Sequence, residues 1–196
     1  RPDPNTPLEE TLGALDSAVR QGKAIYVGIS SYSGAMTADV VRICQANGFV
    51  RPIIHQPSYA MLNRWIETDL LPVTDRLGIG TIAFCPLAQG LLTGKYLGGI
   101  PEDSRAKQPA GFLKEDRITP ELVAKLNKLN DVAKRRGQSL AQMALAWVLR
   151  EQQHGPVTTA LIGASRPEQI TENVKAVEKL DFSEQELKEI DAILAQ

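Results

Sequence analysis

The stretch GASRPEQITEN, residues 163–173, follows a short apolar run and precedes a helical pattern. Its residue types suit an anion. Gly163 lets a ligand approach the backbone closely, and Ser165 stands where a hydroxyl would cap a helix beginning near Pro167. The free N–H groups of a helix start carry the positive end of the macrodipole, which favours phosphate. Arg166 adds a guanidinium suited to bidentate contact with it. Gln169, Glu172 and Asn173 recur at spacings of three and four and share one helix face, with Ile170, Val174 and Val177 expected on the core face. Such a polar face could hold a nucleobase. The same residues also read as a plain capping box, Ser165 with Glu168, beside a solvated arginine and an ordinary wet face.

Four short apolar runs must position this stretch: AIYVGIS (24–30), IIHQPS (53–58), GTIAFCP (80–86) and TTALIG (158–163). They are rich in β-branched residues, unbroken rather than alternating, and separated by helical patterns, as strands of a parallel sheet covered on both faces are. Capping boxes are expected at Thr6/Glu9, Ser139/Gln142, Ser165/Glu168 and Ser183/Glu186, with Pro7, Pro120 and Pro167 in first turns. Leu8, Leu12, Leu15 and Val19 form one apolar helix face closed by Gly22. Leu122, Leu126, Leu129, Val132 and Ala133 form another, ending at Gly137, and AQMALAWVLR reads as a well-buried helix. The order is α-β-α-β-α-β, a long loop with two helices, then β-α-α. The class is α/β, either an open four-stranded sheet or half of a (β/α)8 barrel. In both, ligands bind at the C-terminal ends of the strands, here Ser30-Ser31, Gln56, Cys85-Pro86 and Gly163 onward.

Composition excludes several classes. With 22 basic and 23 acidic residues, the chain of 196 has no basic field for nucleic acid. Its apolar stretches are too short to cross a bilayer. The hydrophobic fraction of 43% supports a core rather than disorder. Cys44 and Cys85 lie far apart without metal-type spacing and read as reduced thiols of a cytosolic, cytoplasmic protein; no metal site is expected. The opening RPDPNTP reads like the middle of a loop, as in a partial chain.

Four motifs in order resemble the aldo-keto reductase family: GKAIYVGISSYS, QPSYAMLNR, FCPLAQGLLTGKY and GASRPEQITEN. The resemblance covers the whole chain as the C-terminal half of a (β/α)8 TIM barrel, one partial-barrel domain over residues 1–196. It is strongest to the bacterial glyceraldehyde 3-phosphate reductase-like branch and the channel β-subunit branch. The resemblance implies NADP(H) as cofactor and a small-molecule carbonyl substrate. It implies that Ser30, Ser31 and Gln56 bond the nicotinamide carboxamide, the alternative for the serines being strand-end capping. Phe84 would stand against the nicotinamide ring, otherwise serving as core. Cys85, Pro86, Leu87 and Gln89 would line the pyrophosphate. Lys95 and Arg105 would supply charge from a long flap, residues 87–118, or else be solvated. Ser165 and Arg166 would take the 2′-phosphate, with Gln169 on the same polar face as Glu172 and Asn173, which would take the adenine.

The family's Tyr, Lys, Asp and His have no match here, so no catalytic residue is expected within the chain. His55 lies next to Gln56 on a strand and points to the opposite face, and His154 lies in a polar loop. A half-barrel would expose sheet edges, so self-association as a homo-oligomer or pairing with the other half is expected. A regulatory NADP(H)-binding subunit and a truncated, inactive half-barrel remain alternatives to the enzyme.

Overall fold

The computed structural model describes the chain except residues 103, 108–112, 154 and 196, and Arg105 in its backbone only. His154 therefore lies outside the described residues. The chain forms two compact units: Arg1–Tyr59, Arg64–Phe84 and Glu151–Leu161 make the first, and Ala60–Asn63, Cys85–Arg150 and Ile162–Gln196 the second.

The first unit holds α1 (Leu8–Arg20), β1 (Gly28–Ser30), α2 (Gly34–Asn47), β2 (Ile54–Gln56), α3 (Ile66–Asp69), α4 (Leu71–Leu77), β3 (Gly80–Phe84) and β4 (Thr159–Leu161). The four strands are parallel in the order β1-β2-β3-β4, the α/β arrangement expected from the unbroken apolar runs. The strands are shorter than those runs. Ile25 and Tyr26 are 81% and 70% exposed, because among the described residues no strand lies beyond β1 to pair with them. Leu12 of α1 packs with Ile29, Tyr32, Val40, Ile43 and Cys44. Burial raises the Cys44 thiol pKa. Gly34 opens α2 where a Cβ would come 2.2 Å from the Asp69 carbonyl oxygen, so only glycine fits.

One expected cap fails here. Pro7 is the N-cap of α1, without a side-chain cap bond, rather than a first-turn residue. Thr6 instead donates its hydroxyl to the Asp3 carboxylate at 2.8 Å, so the local Asp3 turn wins over the Thr6/Glu9 box.

The second unit holds α5 (Pro120–Arg135), α6 (Leu140–Leu149), α7 (Pro167–Val174) and α8 (Glu184–Ala195). The Ser139/Gln142 box forms, and α6 is buried along nearly its whole length. Ser183 and Glu186 exchange the bonds expected before α8. Gly137, at φ 71°, follows the end of α5. The buried Arg136 beside it stacks on Phe182 at 3.7 Å and pairs with Glu186 at 2.8 Å, tying α5 to α8.

The long flap, residues 87–118, contains among its described residues a short turn at Ala88–Thr93, kinked at Gln89 and Gly90, and 3-10 turns at Arg105–Lys107 and Glu115–Arg117. Within it the buried Tyr96 hydroxyl meets Ser104 Oγ at 2.9 Å, and Asn127 of α5 donates to the Leu97 carbonyl at 3.0 Å. One expectation is corrected in this unit: Ile170 and Val174 of α7 and Val177 of the 3-10 turn after it (Lys175–Glu178) are 50%, 55% and 57% exposed, not core. The helix turns the side carrying Gln169 and Asn173 inward, where Gln142 of α6 donates to the Glu172 carbonyl at 2.9 Å.

Candidate functional site

In the first unit the polar residues expected at the strand ends come together. The parallel register sets Ser30 opposite Gln56. Ser30 Oγ donates to the Gln56 carbonyl at 2.8 Å and lies 3.3 Å from Ser31 Oγ. Ser31 has φ 62°, a left-handed conformation uncommon outside glycine, asparagine and aspartate. Such residues cost about 1–3 kcal/mol and persist only where their surroundings hold them. Here the surroundings are specific. Ser30 is tied to Gln56, Ser33 caps α2 by accepting from the Met36 N–H at 3.1 Å, and His55 Nε2 donates to the Tyr32 carbonyl at 3.1 Å. The carbonyl acceptor assigns the proton to Nε2.

His55 is fully buried, and burial pushes its pKa down to about 4 despite the Tyr32 bond, so the ring is neutral. Its Nδ1 has no partner among the described residues. Burial also raises the Tyr32 phenol. The Gln56 side-chain amide is half-buried and makes no hydrogen bond among the described residues, leaving a donor and an acceptor available. A cavity of about 350 Å³ reaches Ser30, Gln56, Tyr32 and Ile54, bounded also by Thr11 and Leu15 of α1. Phe84 is half-buried at the end of β3. Its N–H donates to Pro57, its carbonyl accepts from Tyr59, and the Arg1 guanidinium lies 5.9 Å from its ring centroid.

In the second unit the chain leaves β3 through Cys85 at φ 54°, Ala88 at φ 48° and Gln89 at φ 59°. Leu87 precedes left-handed Ala88, whose N–H donates to the Cys85 carbonyl at 2.9 Å, and the Gly90 N–H donates back to the Leu87 carbonyl at 2.9 Å, so local bonds close this turn. Cys85 and Gln89 are exposed, Pro86 is buried, and Leu87 is half-buried. Lys95 is exposed. Arg105 sits in a 3-10 turn, its side chain outside the described residues.

At α7 the expected cap is reversed. The helix starts at Pro167, but Arg166 is the N-cap and the Ser165/Glu168 box does not form. Gln169 reaches back instead: its Oε1 accepts from the Ser165 N–H at 2.8 Å, the Arg166 N–H at 3.3 Å and the Ser165 hydroxyl at 3.3 Å. A longer amide arm reaches two orphan N–H groups where a serine hydroxyl reaches one. The Arg166 guanidinium is exposed and makes no ion pair among the described residues. A Cβ on Gly163 would meet nothing within 4 Å, so space above that backbone is open. Glu172 pairs with Lys175 at 2.6 Å, and Asn173 is half-buried beside it.

All four non-glycine residues with positive φ among the described residues, Ser31, Cys85, Ala88 and Gln89, lie within a few residues after β1 or β3. Sequence reasoning missed the left-handed run at Ala88 and the part of His55 in holding the β1 loop. A histidine in the apolar run IIHQPS was the available signal for the second. No group of three or more His, Cys, Asp or Glu among the described residues could hold a metal, and none of their helices is long and apolar enough to cross a membrane.

Comparison with known proteins places these residues in context. The profile of the Aldo/keto reductase family matches residues 1–195. The chain is 50% identical over 201 residues to the L-glyceraldehyde 3-phosphate reductases of Escherichia coli K12 and O157:H7, covering all of this chain and 56% of each relative. It is 40% identical over 199 residues to a voltage-gated potassium channel subunit beta-like protein of Schizosaccharomyces pombe, covering 99% of this chain and 57% of that one. The chain thus spans little more than half the length of the curated relatives it matches.

Proposed function

The chain belongs to the aldo/keto reductase family, and we propose that the protein reduces aldehydes or ketones to alcohols with NADPH, this chain supplying residues that hold the dinucleotide. Its four parallel strands with their helices fit part of that family's (β/α)8 barrel. The observation that carries the reading is the strained, non-glycine backbone of Ser31 at the end of β1, beside the Gln56 amide of β2, since such strain collects at ligand sites.

The residues fit the group chemically. Ser31 offers a hydroxyl donor, Ser30, whose own proton goes to the Gln56 carbonyl, offers acceptor lone pairs, and the Gln56 side chain offers the amide donor and acceptor that a carboxamide requires. Phe84 offers a ring face for a flat heterocycle. Cys85, Pro86, Leu87 and Gln89 bring the left-handed turn to the pyrophosphate, with Lys95 and Arg105 adding positive charge. Open space over Gly163 and the unpaired Arg166 suit a 2′-phosphate, with Ser165 and Gln169 as the adjoining polar groups. Glu172 and Asn173 take the adenine in this reading, which requires Glu172 to leave Lys175. NADPH, when bound, supplies the hydride. The proton donor, a tyrosine tuned by a lysine and an aspartate, comes from outside this chain.

A small phosphorylated aldehyde is the first substrate to try, because the E. coli relatives carry the name of a glyceraldehyde 3-phosphate reductase. The full-length protein is assayed for NADPH oxidation with a panel of such aldehydes. Turnover supports the reading. Tight NADPH binding without turnover on any of them favours the second reading, a non-catalytic NADP(H)-binding subunit, which the 40% identity to the channel subunit beta-like protein supports. Absence of both binding and turnover sinks the two together.

A further inference from the structure

We propose that His55 is a positioning residue for the nicotinamide end of this site: its ring ties β2 to the loop after β1 and thereby holds the Ser30–Ser31 hydroxyl pair. The inference rests on the NADPH reading and adds to it a residue that faces away from the ligand. Neighbours on a strand point to opposite faces, so His55 and Gln56 serve opposite sides of β2.

Two consecutive residues of β2 pin the two residues that flank strained Ser31. The Gln56 carbonyl accepts from Ser30 Oγ at 2.8 Å, and His55 Nε2 donates to the Tyr32 carbonyl at 3.1 Å. Ser31, at φ 62°, lies between these anchors. The ring is wholly buried, and its second nitrogen has no partner among the described residues. An unpaired polar atom in a core is costly, and a leucine of similar size would avoid it. What the histidine contributes is therefore the bond at Nε2. Without it the Tyr32 carbonyl loses a buried donor, and the left-handed turn at Ser31 loses one of its two anchors.

The test compares two ligands on the full-length protein. NADPH reaches the nicotinamide end, whereas 2′,5′-ADP carries the 2′-phosphate and adenosine without nicotinamide. His55→Leu is expected to weaken NADPH about three- to tenfold, the worth of one buried hydrogen bond, and to leave 2′,5′-ADP unchanged. His55→Gln, which keeps an N–H donor, should recover part of the loss. Equal weakening of both ligands would show mere loosening of the fold and overturn the proposal, as would no weakening at all. The wild-type protein provides a second measurement should the leucine variant fail to fold. Nitrogen NMR should show the Nε2–H tautomer and a shift on adding NADPH but not 2′,5′-ADP; an Nδ1–H tautomer overturns the proposal. If wild type binds neither ligand, the NADPH reading itself has failed and this inference falls with it. A failure confined to His55 leaves NADPH binding intact.

Discussion

The loop after β1 and the start of α7 carry similar residues, serines beside an amide, yet they are held in opposite ways. After β1 the constraint is long-range: Ser30 and Tyr32 are fixed by β2, more than twenty residues on, and the strained residue sits between them. At α7 every bond around Ser165 is local, made by Gln169 four residues later, and the groups are exposed. Long-range anchors in a buried setting preorganise a site, because the fold has already met the cost of ordering. Local, exposed bonds compete with water and exchange readily. In the proposed site, the nicotinamide end is therefore built before the ligand arrives, and the adenosine end is assembled around it.

Acid should attack the first region far more than the second. The His55 ring has a folded-state pKa of about 4 against an ordinary value of 6.5. The unfolded chain therefore binds that proton first as pH falls, and stability declines with pH across this window. The contribution is whole above pH 6.5, falls away towards pH 4, and changes no further once both states are protonated. Its size is about 3 kcal/mol. Urea unfolding of the full-length protein at several pH values should show this slope in wild type and a shallower one in His55→Leu. Equal slopes in both would mean that the ring is not held neutral, and the contrast between the two regions would lose its main support.

The same distinction governs what was legible in the sequence. The α/β class, the parallel pairing of the strands and the burial of α6 follow from apolar runs whose length and composition are local properties. The boxes at Ser139 and Ser183 were readable because their partners lie three residues away. At Thr6 and Ser165 two nearby acceptors compete for the same donors, and residue types alone do not rank them. Ile170, Val174 and Val177 are exposed, so a pattern that takes apolar to mean buried misplaced them. The left-handed turn at Ser31 carries no glycine to announce it, and bonds from β2 to its two neighbours hold it. The run at Ala88 and Gln89 leads into Gly90, also at positive φ, and is closed by local bonds.

Charge at α7 offers a sharper test of the assembled end. Arg166 is exposed, so its removal should leave stability almost unchanged. In the proposed role it meets a phosphate present in NADPH and absent from NADH. Arg166→Ala should then weaken NADPH about tenfold and NADH hardly at all, read by fluorescence titration of the full-length protein. If the preference for NADPH survives intact, the 2′-phosphate lies elsewhere and α7 is an ordinary helix start.

The smallest effect is the most telling, because stability and binding should move in opposite directions. Ser31 is held left-handed at φ 62°, where glycine would sit without strain. Ser31→Gly removes that strain but also makes the unfolded chain more flexible, so the net gain is about 1 kcal/mol. It also deletes the hydroxyl 3.3 Å from Ser30 Oγ, one of the groups offered to the carboxamide. A melting temperature equal to or above wild type together with a severalfold loss of NADPH affinity would identify Ser31 as a residue whose strain serves a ligand. A rise in stability with unchanged affinity would reduce the turn to a quirk of the backbone. The β1 loop would then be no more a built site than the start of α7.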